Sequence, residues 1–244
     1  MVPYLNSESV YYQDSKLRRS LAGTLDCIVL GASQGSCAFV PEVLDSNLGV
    51  NSYNLSSALI PIHARKYLLE KELNRSNIKT VIIELSYNTL ARNSTAEFGN
   101  GDTRVIEKLD SAQERIKYML KYIKFNDWIN VYSHLFMNSL NGIETFITDG
   151  GNNVDYKAKG FDSRKVSVGS INPKEVIKTY NTEKISTDYY ENNVKVLTDI
   201  IDTCKTKNIR VIIAVAPLSD VLLWKYKNMD DFLSWATNYS NQQS

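Results

Sequence analysis

The sequence is poor in the residues that build metal centres and disulfide frameworks. Its 244 residues include three cysteines and two histidines. No Cys-x-x-Cys pair occurs, so the ligand spacing of a zinc site is missing and we expect no bound metal. An odd and sparse cysteine count also gives no disulfide framework. Cys27 and Cys204 fall at apolar positions of the sequence and are predicted to be small core residues.

Long apolar runs and an excess of one charge are missing as well. No run of about 18 apolar residues occurs, so the sequence predicts no membrane-spanning helix, and the N-terminal residues lack the apolar segment of a signal peptide. The formal net charge is +1 with scattered basic residues, which argues against a nucleic-acid partner. Of the residues in the sequence, 43% are hydrophobic and 23% are charged. This composition is typical of a globular domain with a hydrophobic core.

Four short apolar runs predict a parallel α/β sheet. Helical patterns lie between them, and the alternation of strands and helices is typical of βαβ units. We predict a three-layer flavodoxin-like sandwich with a parallel sheet. The predicted strands are Leu25–Leu30, Ser52–Leu55, Thr80–Leu85 and Ile209–Val215, and the main helices around them are Ile60–Leu73, Tyr190–Cys204 and Asp220–Asn241.

A long segment separates the third and fourth predicted strands. We interpret residues 91–182 as a helical insertion over the carboxyl edge of the sheet, where ligands bind in such folds. Its helical patterns are near Val105–Ile123 and Asp127–Leu140. Residues 24–90 and 183–244 would form the sheet core of a single domain, 1–244. Because the sequence stops after a predicted helix without a further strand, we expect the fold to be truncated at Ser244.

The first predicted strand is followed by a serine between two glycines. Residues 28–37 read Ile-Val-Leu-Gly-Ala-Ser-Gln-Gly-Ser-Cys, so Ser33 lies between Gly31 and Gly35 at a strand end. Ser33 is either a nucleophile held at this turn or only a small turn residue, since small residues are common there. The spacing Gly-x-Ser-x-Gly also fits the nucleophile elbow of α/β-hydrolases. In that fold the serine follows several strands, whereas here it follows the first.

Three loops are expected to meet at one edge of the sheet. The loops after the first three strands of a parallel sheet leave on the same side. These loops are Gly31–Gly35, Asn54–Ala58 and Ser86–Thr89. A nucleophilic hydroxyl needs oxyanion donors close by, usually backbone N–H groups and a side-chain amide. The backbone near Gln34 and Ala58 and the side chain of Asn88 would supply them; alternatively, Asn88 is only a turn former.

Together these motifs resemble the SGNH (GDSL-like) hydrolases, in their diverged branch of envelope O-acyltransferases and DltD-like proteins. Gly31-Ala32-Ser33 matches the family's Gly-Asp-Ser block with Ala32 in place of aspartate. Ser86-Tyr87-Asn88-Thr89 stands where the family carries Gly-x-Asn-Asp. The family's glycine block after the second strand has no glycine here, so Ala58 or Leu59 would have to donate by its backbone. The resemblance covers Leu25–Asn88 and resumes at Ile209–Pro217. The order of the motifs at successive strand ends supports it.

The resemblance implies a serine esterase or O-acyltransferase that acts on an acyl ester, in particular one of a cell-envelope glycan or polymer. Ser33 would attack the acyl carbonyl, and Gln34, Ala58 and Asn88 would bind the oxyanion. No metal or organic cofactor is implied. The partners would be the acyl-ester or glycan substrate and a membrane acyl-transfer partner, and the location would be the bacterial cell envelope, outside the cytoplasm.

The catalytic base of that family is missing from the sequence. The family draws its histidine from an Asp-x-x-His motif after a further strand, and no such motif follows the fourth predicted strand. A serine without a histidine is a poor nucleophile near pH 7. His63 begins the helix after the second strand and is a substitute base, a substrate contact or a plain helix-start residue, while His134 is predicted to be structural. The alternative function is therefore a catalytically inactive SGNH-like module that binds a glycan or a membrane acyl-transfer partner.

Three further features of the sequence bear on its function. An ordinary doubly wound small-molecule binder is disfavoured, because neither G-x-G-x-x-G nor G-x-x-x-x-G-K-[ST] occurs. Glu84 lies inside the third predicted strand, where a carboxylate is unusual, and would be paired or face an edge; we assign it no role. Asp220 lies at the carboxyl edge after the fourth strand, but its place before Val221 is that of a helix N-cap.

Overall fold

The fold is built on one parallel sheet. The computed structural model describes residues 16–91, 100–133, 159–161, 183–188, 190–218, 223 and 225–243. Among these residues the sheet has four strands in the order β2-β1-β3-β4, and every neighbouring pair is parallel. The strands are β1 (Cys27–Leu30), β2 (Ser52–Asn54), β3 (Thr80–Glu84) and β4 (Arg210–Ala214). Each lies inside its predicted range, so the α/β class and the parallel sheet are confirmed.

Strand β1 is the buried centre of the sheet. All four of its residues are buried, and Val29 pairs with Asn54 on one side and with Ile82 on the other. A strand that is covered on both faces favours apolar side chains at every position, which is why this run does not alternate with polar residues. Because the strands are parallel, β1, β2 and β3 all end at the same edge of the sheet.

The described helices surround this sheet. They are α1 (Ser33–Ala38), α2 (Pro41–Leu48), α3 (Ile62–Leu73), α4 (Tyr87–Ala91), α5 (Asn100–Lys108), α6 (Ala112–Tyr122), α7 (Tyr190–Thr206) and α8 (Met229–Gln243), and a 3₁₀ turn covers Phe125–Asp127. Pro41 starts α2, where its missing N–H leaves no hydrogen bond unmade, and Gly49 ends it with a left-handed φ of 64°. The helices predicted at Ile60–Leu73 and Tyr190–Cys204 are confirmed.

The helical pattern near Val105–Ile123 is divided between two helices, α5 and α6. Ser111 is the N-cap of α6, and its hydroxyl accepts a hydrogen bond of 3.2 Å from the Glu114 N–H. A capping serine favours the start of a helix over its interior, so the chain breaks there. In the second pattern, near Asp127–Leu140, residues 128–133 are helical. Residues 134–140 of that pattern lie outside the described residues.

Helices cover both faces of the sheet. Consecutive strand residues point to opposite faces, and β1 contributes Ile28 and Leu30 to a large core that it shares with α3, α7 and α8. Cys27 and Val29 point the other way and pack with Leu44 of α2. This arrangement is compatible with the flavodoxin-like sandwich predicted from the sequence.

The strands also agree with the predicted division of the chain. All of the described strands fall within residues 24–90 and 183–244, the predicted sheet core. The bounds of the insertion, 91–182, stay a prediction, since much of that range lies outside the described residues. Of the described helices, none is long and apolar enough to cross a bilayer.

Candidate functional site

Ser33 is the first residue of a short helix that begins directly after β1. Ala32 precedes it with an extended backbone, and the helix α1 runs from Ser33 to Ala38. The first N–H groups of a helix have no partner inside the helix. The half-buried Ser33 therefore lies at the carboxyl edge of the sheet, next to backbone donors.

A pocket of about 180 Å³ adjoins Ser33. Its described lining residues are Ala32, Ser33, Gln34, Leu59, Ile60, Pro61, Ser86, Asn88 and Thr89. These residues come from the loops after β1, β2 and β3, so the three loops meet as the parallel topology requires. Ser33, Gln34 and Asn88 share this one pocket, and the roles assigned to them stay predictions.

Ser33 also lines a second cavity. It has a volume of about 450 Å³, and its described lining residues are Ser33, Gln34, Cys37, Ala38, Ala216 and Pro217. Ser33 and Cys37 are four residues apart on α1, which puts them on one face of the helix. Ala216 and Pro217 follow β4, so this cavity adds the fourth strand end to the site.

Ala58, the predicted oxyanion donor of the second loop, is not among the described lining residues. Leu59 is, and its φ of 66° lies in the left-handed region. A branched residue rarely adopts that conformation, and such strain is held by its surroundings. Leu59 thus brings the backbone of this loop to the pocket. The sequence has no glycine here to signal the turn.

Asn54 fixes α1 to the neighbouring strand. This residue ends β2 and is fully buried. Its Nδ2 donates hydrogen bonds of 2.9 Å to the carbonyls of Gly35 and Phe39, and its Oδ1 accepts one of 3.0 Å from the Ser56 N–H. Three bonds from one side chain satisfy a buried amide and hold α1 against the end of β2.

Glu84 holds the same loop from the opposite side. It ends β3 with 0% of its surface exposed, and its Oε2 accepts a hydrogen bond of 2.8 Å from the Ala32 N–H. Burial raises the pKa of the Glu84 carboxyl, while the positive charge of Arg65 and the amides of Ala32 and Gly35 act in the opposite direction. The carboxylate that the sequence left without a role thus lies beneath the Ser33 loop.

Arg65 of α3 supports the loop that carries Asn88. Its guanidinium is 1% exposed and donates hydrogen bonds of 2.9 Å to the Glu84 carbonyl and of 2.6 Å to Thr89 Oγ1. The hydroxyls of Ser86 and Thr89 are 2.7 Å apart. Burial lowers the pKa of Arg65 to about 10, against the effect of the Glu84 charge. At neutral pH Arg65 is a fixed cation behind the pocket.

His63 lies in a separate cluster. Its Nε2 is 3.5 Å from Asp102 Oδ1 and 3.4 Å from the Tyr118 hydroxyl, and its ring stacks on Tyr122 at 4.6 Å. His63 is not among the described residues that line either cavity at Ser33. Its role as substitute base or substrate contact stays a prediction, while His134 and Asp220 lie outside the described residues.

Sequence reasoning missed the side chains that support the site. Asn54 and Arg65 carry no motif, and their partners are chosen by the tertiary fold. The unusual position of Glu84 inside an apolar strand was the one available signal.

Among the described residues, no three metal-ligating side chains come together. No family model, curated protein or solved structure matches the chain.

Proposed function

We propose that the chain is a serine esterase or O-acyltransferase of the SGNH type, with Ser33 as its nucleophile. The observation that carries the proposal is that Ser33, Gln34 and Asn88 line the same pocket at the carboxyl edge of a parallel sheet. The strand order β2-β1-β3-β4, with the serine after β1 and the amide after β3, agrees with the flavodoxin-like sandwich of that family.

In the proposed reaction, Ser33 Oγ attacks an acyl carbonyl and a base takes its proton. The oxyanion accepts hydrogen bonds from the backbone at Ser33 and Gln34, from the turn at Ala58 and Leu59, and from the Asn88 side chain. Removal of one such donor costs about 10²–10³ in kcat in serine hydrolases. The tetrahedral intermediate then breaks the ester C–O bond, and the alcohol leaves with the proton that the base took from Ser33. Water or a glycan hydroxyl attacks the acyl-enzyme and gives its proton to the base, and the acyl–Oγ bond breaks as the base returns that proton to Ser33.

The two cavities that Ser33 lines fit a substrate with two parts. The pocket with Asn88 has a volume of about 180 Å³, enough for a small acyl group, and the cavity with Cys37 has about 450 Å³. Together with the resemblance, this favours a small acyl ester of a larger acceptor. We propose a cell-envelope glycan or polymer as that acceptor.

A specific observation favours the second candidate, a catalytically inactive SGNH-like module that binds a glycan or a membrane acyl-transfer partner. None of the described residues that line the Ser33 pocket is a histidine. His63, which could replace the missing base, is instead packed with Asp102 and Tyr122. The two candidates differ in whether Ser33 reacts.

A fluorophosphonate probe separates the two candidates. The wild-type chain should be labelled at Ser33, as located by peptide mass spectrometry, and Ser33→Ala should remove the label. Ser36→Ala is the matched control, since this buried serine lies on the same helix and its hydroxyl donates to the Ser33 carbonyl at 2.9 Å. Asn88→Ala should slow labelling at least tenfold. Folded wild-type protein that stays unlabelled would overturn the catalytic proposal, and glycan binding would then be measured.

A further inference from the structure

A buried carboxylate lies beneath the proposed nucleophile and takes no part in the proposed reaction. Glu84 has 0% of its surface exposed, yet within the described part of the chain its Oε1 has no hydrogen-bond partner, and neither has the buried Ser56 Oγ. An unsatisfied buried polar atom costs stability, and apolar residues of similar size are often as stable as a buried charge pair. A group kept at this cost invites a functional explanation.

The first link between Glu84 and Ser33 is a hydrogen bond. Glu84 Oε2 accepts the Ala32 N–H at 2.8 Å, across 52 residues of sequence. Ala32 is the residue that caps α1, and Ser33 is the next residue. The position of the Ala32 amide therefore sets where the backbone of Ser33 enters the pocket.

The second link is steric. A Cβ on Gly31 would lie 2.8 Å from both Glu84 Oε2 and Ser56 Oγ, and a Cβ on Gly35 would lie 2.8 Å from Ser56 Oγ and 3.2 Å from Glu84 Cβ. Real Cβ atoms do not approach other atoms to 2.8 Å. The backbone on both sides of Ser33 therefore rests directly on these two side chains.

The third link is electrostatic. Burial raises the pKa of Glu84, and the charge of Arg65 and the amides of Ala32 and Gly35 act against that rise. Arg65 also binds Thr89 in the loop that carries Asn88. Two neighbouring buried side chains, Glu84 and Arg65, thus connect the loop of the nucleophile with the loop of the predicted oxyanion donor.

We propose that Glu84 is a positioning residue that sets the distance between Ser33 and the oxyanion donors of the pocket. Its carboxylate anchors the Ala32 amide, and its side chain supports the backbone at Gly31. The inference rests on the proposed function, because it takes Ser33 as the nucleophile. Glu84 itself touches no substrate, since it is buried below the pocket.

The test compares Glu84→Leu and Glu84→Gln in the full 244-residue chain. Leucine keeps the approximate volume and removes the acceptor, whereas glutamine keeps an oxygen that can accept the Ala32 N–H. Two quantities are measured: the exchange rate of the Ala32 amide by NMR, and the rate of Ser33 phosphonylation per folded molecule. Leucine should speed exchange and slow phosphonylation, each at least tenfold, and glutamine should stay within about threefold of wild type.

Glu72→Leu is the matched control for the loss of a buried carboxylate. Glu72 is 1% exposed and paired with Arg18 at 2.7 Å, at the far end of α3. This variant should lower stability and leave both readouts at Ser33 unchanged. If Glu84→Leu does not fold, Glu84→Asp takes its place, because it keeps the charge but withdraws the oxygen by one methylene, and the same tenfold losses are expected.

The outcomes separate this inference from the function on which it rests. A folded Glu84→Leu variant that reacts at the wild-type rate overturns the positioning role. An Ala32 amide that exchanges freely in the wild type overturns it as well. If wild-type Ser33 is never phosphonylated, the proposed function falls, and the exchange rates of Ala32 still decide whether Glu84 holds the loop.

Discussion

The Tyr118 hydroxyl donates a hydrogen bond of 2.7 Å to Asp102 Oδ1, and both side chains are buried between α5 and α6. Burial raises the pKa of Tyr118 well above its ordinary value, and the negative charge and hydrogen bond of Asp102 raise it further. His63 approaches the same carboxylate oxygen at 3.5 Å. A polar cluster of His63, Asp102 and Tyr118 thus joins α5 and α6 to the start of α3.

Tyr118→Phe should lower the free energy of unfolding by about 1–3 kcal/mol, because the buried Asp102 carboxylate loses a donor. Urea denaturation followed by circular dichroism measures the change. Tyr67→Phe is the matched control, since among the described residues its half-buried hydroxyl donates one long hydrogen bond, of 3.4 Å to the Glu114 carbonyl. Its cost should be below about 1 kcal/mol. Equal costs for the two variants would contradict the role assigned to the Asp102 bond.

Alkaline pH should destabilise the protein through Tyr118. Its pKa in the folded state lies above the unfolded value of about 10. Its contribution to stability is therefore complete below pH 10 and declines as pH rises from there toward the folded pKa. Tyr190, whose pKa burial raises to about 12, adds to the decline. Unfolding free energies measured from pH 9 to pH 11 should fall less steeply in Tyr118→Phe than in the wild type; parallel curves would exclude this linkage.

Cys37 should be the fast-reacting thiol of the chain. It is exposed, whereas Cys27 and Cys204 are buried as the sequence predicted. Burial, with the charges of Asp26 and Asp45, raises the pKa of Cys27 to about 12, and burial raises that of Cys204 to about 11. Thiolates are the reactive species, so Ellman's reagent at pH 8 should rapidly modify one thiol per chain.

The Cys37→Ser variant supplies the control for this titration and should show no rapid reaction. Because Cys37 and Ser33 line one cavity of about 450 Å³, a bulky maleimide on Cys37 should also slow phosphonylation of Ser33 at least tenfold. The same maleimide treatment of Cys37→Ser should have no effect. Rapid modification of two or three thiols without denaturant would show that the described burial of Cys27 or Cys204 is wrong.

Gly35→Ala should destabilise the protein although alanine is the better helix former. Inside a helix alanine is favoured over glycine by about 1 kcal/mol, but here the added methyl group would meet Ser56 Oγ at 2.8 Å. Overpacking of this kind typically costs about 1–3 kcal/mol. A Ser56→Gly background removes the contact with Ser56 and leaves the one of 3.2 Å with Glu84 Cβ, so the same substitution should cost clearly less there. A double-mutant cycle by urea denaturation measures this coupling; additive effects would contradict it.

Much of the sheet could be predicted because the signals for it are local. Each strand is a short apolar run with a polar or glycine stop, and parallel topology alone brings the loops of Ser33 and Asn88 to one edge. The boundary at Ser111 was missed because a serine inside a helical pattern reads as an ordinary surface residue until its hydroxyl is seen to accept the Glu114 N–H.

The supports of the site could not be predicted, because their partners are chosen by the tertiary fold. The bond from Ala32 to Glu84 spans 52 residues, and the contact between Tyr118 and His63 spans 55. No periodicity encodes such pairs. The sequence shows only that a carboxylate, Glu84, is unusual in an apolar strand. Its bond with the Ala32 amide depends on β1 lying beside β3.

The pairing of the strands has a consequence for how the protein is made. The three strands around the serine loop follow one another along the chain between Cys27 and Glu84, whereas β4 joins only when Arg210 pairs with Thr80. Closing a longer loop costs more entropy, and distant pairings form later. Once Ala91 has left the ribosome, the side chains described as holding the Ser33 loop, Asn54, Arg65 and Glu84, have been released, long before β4 is synthesised.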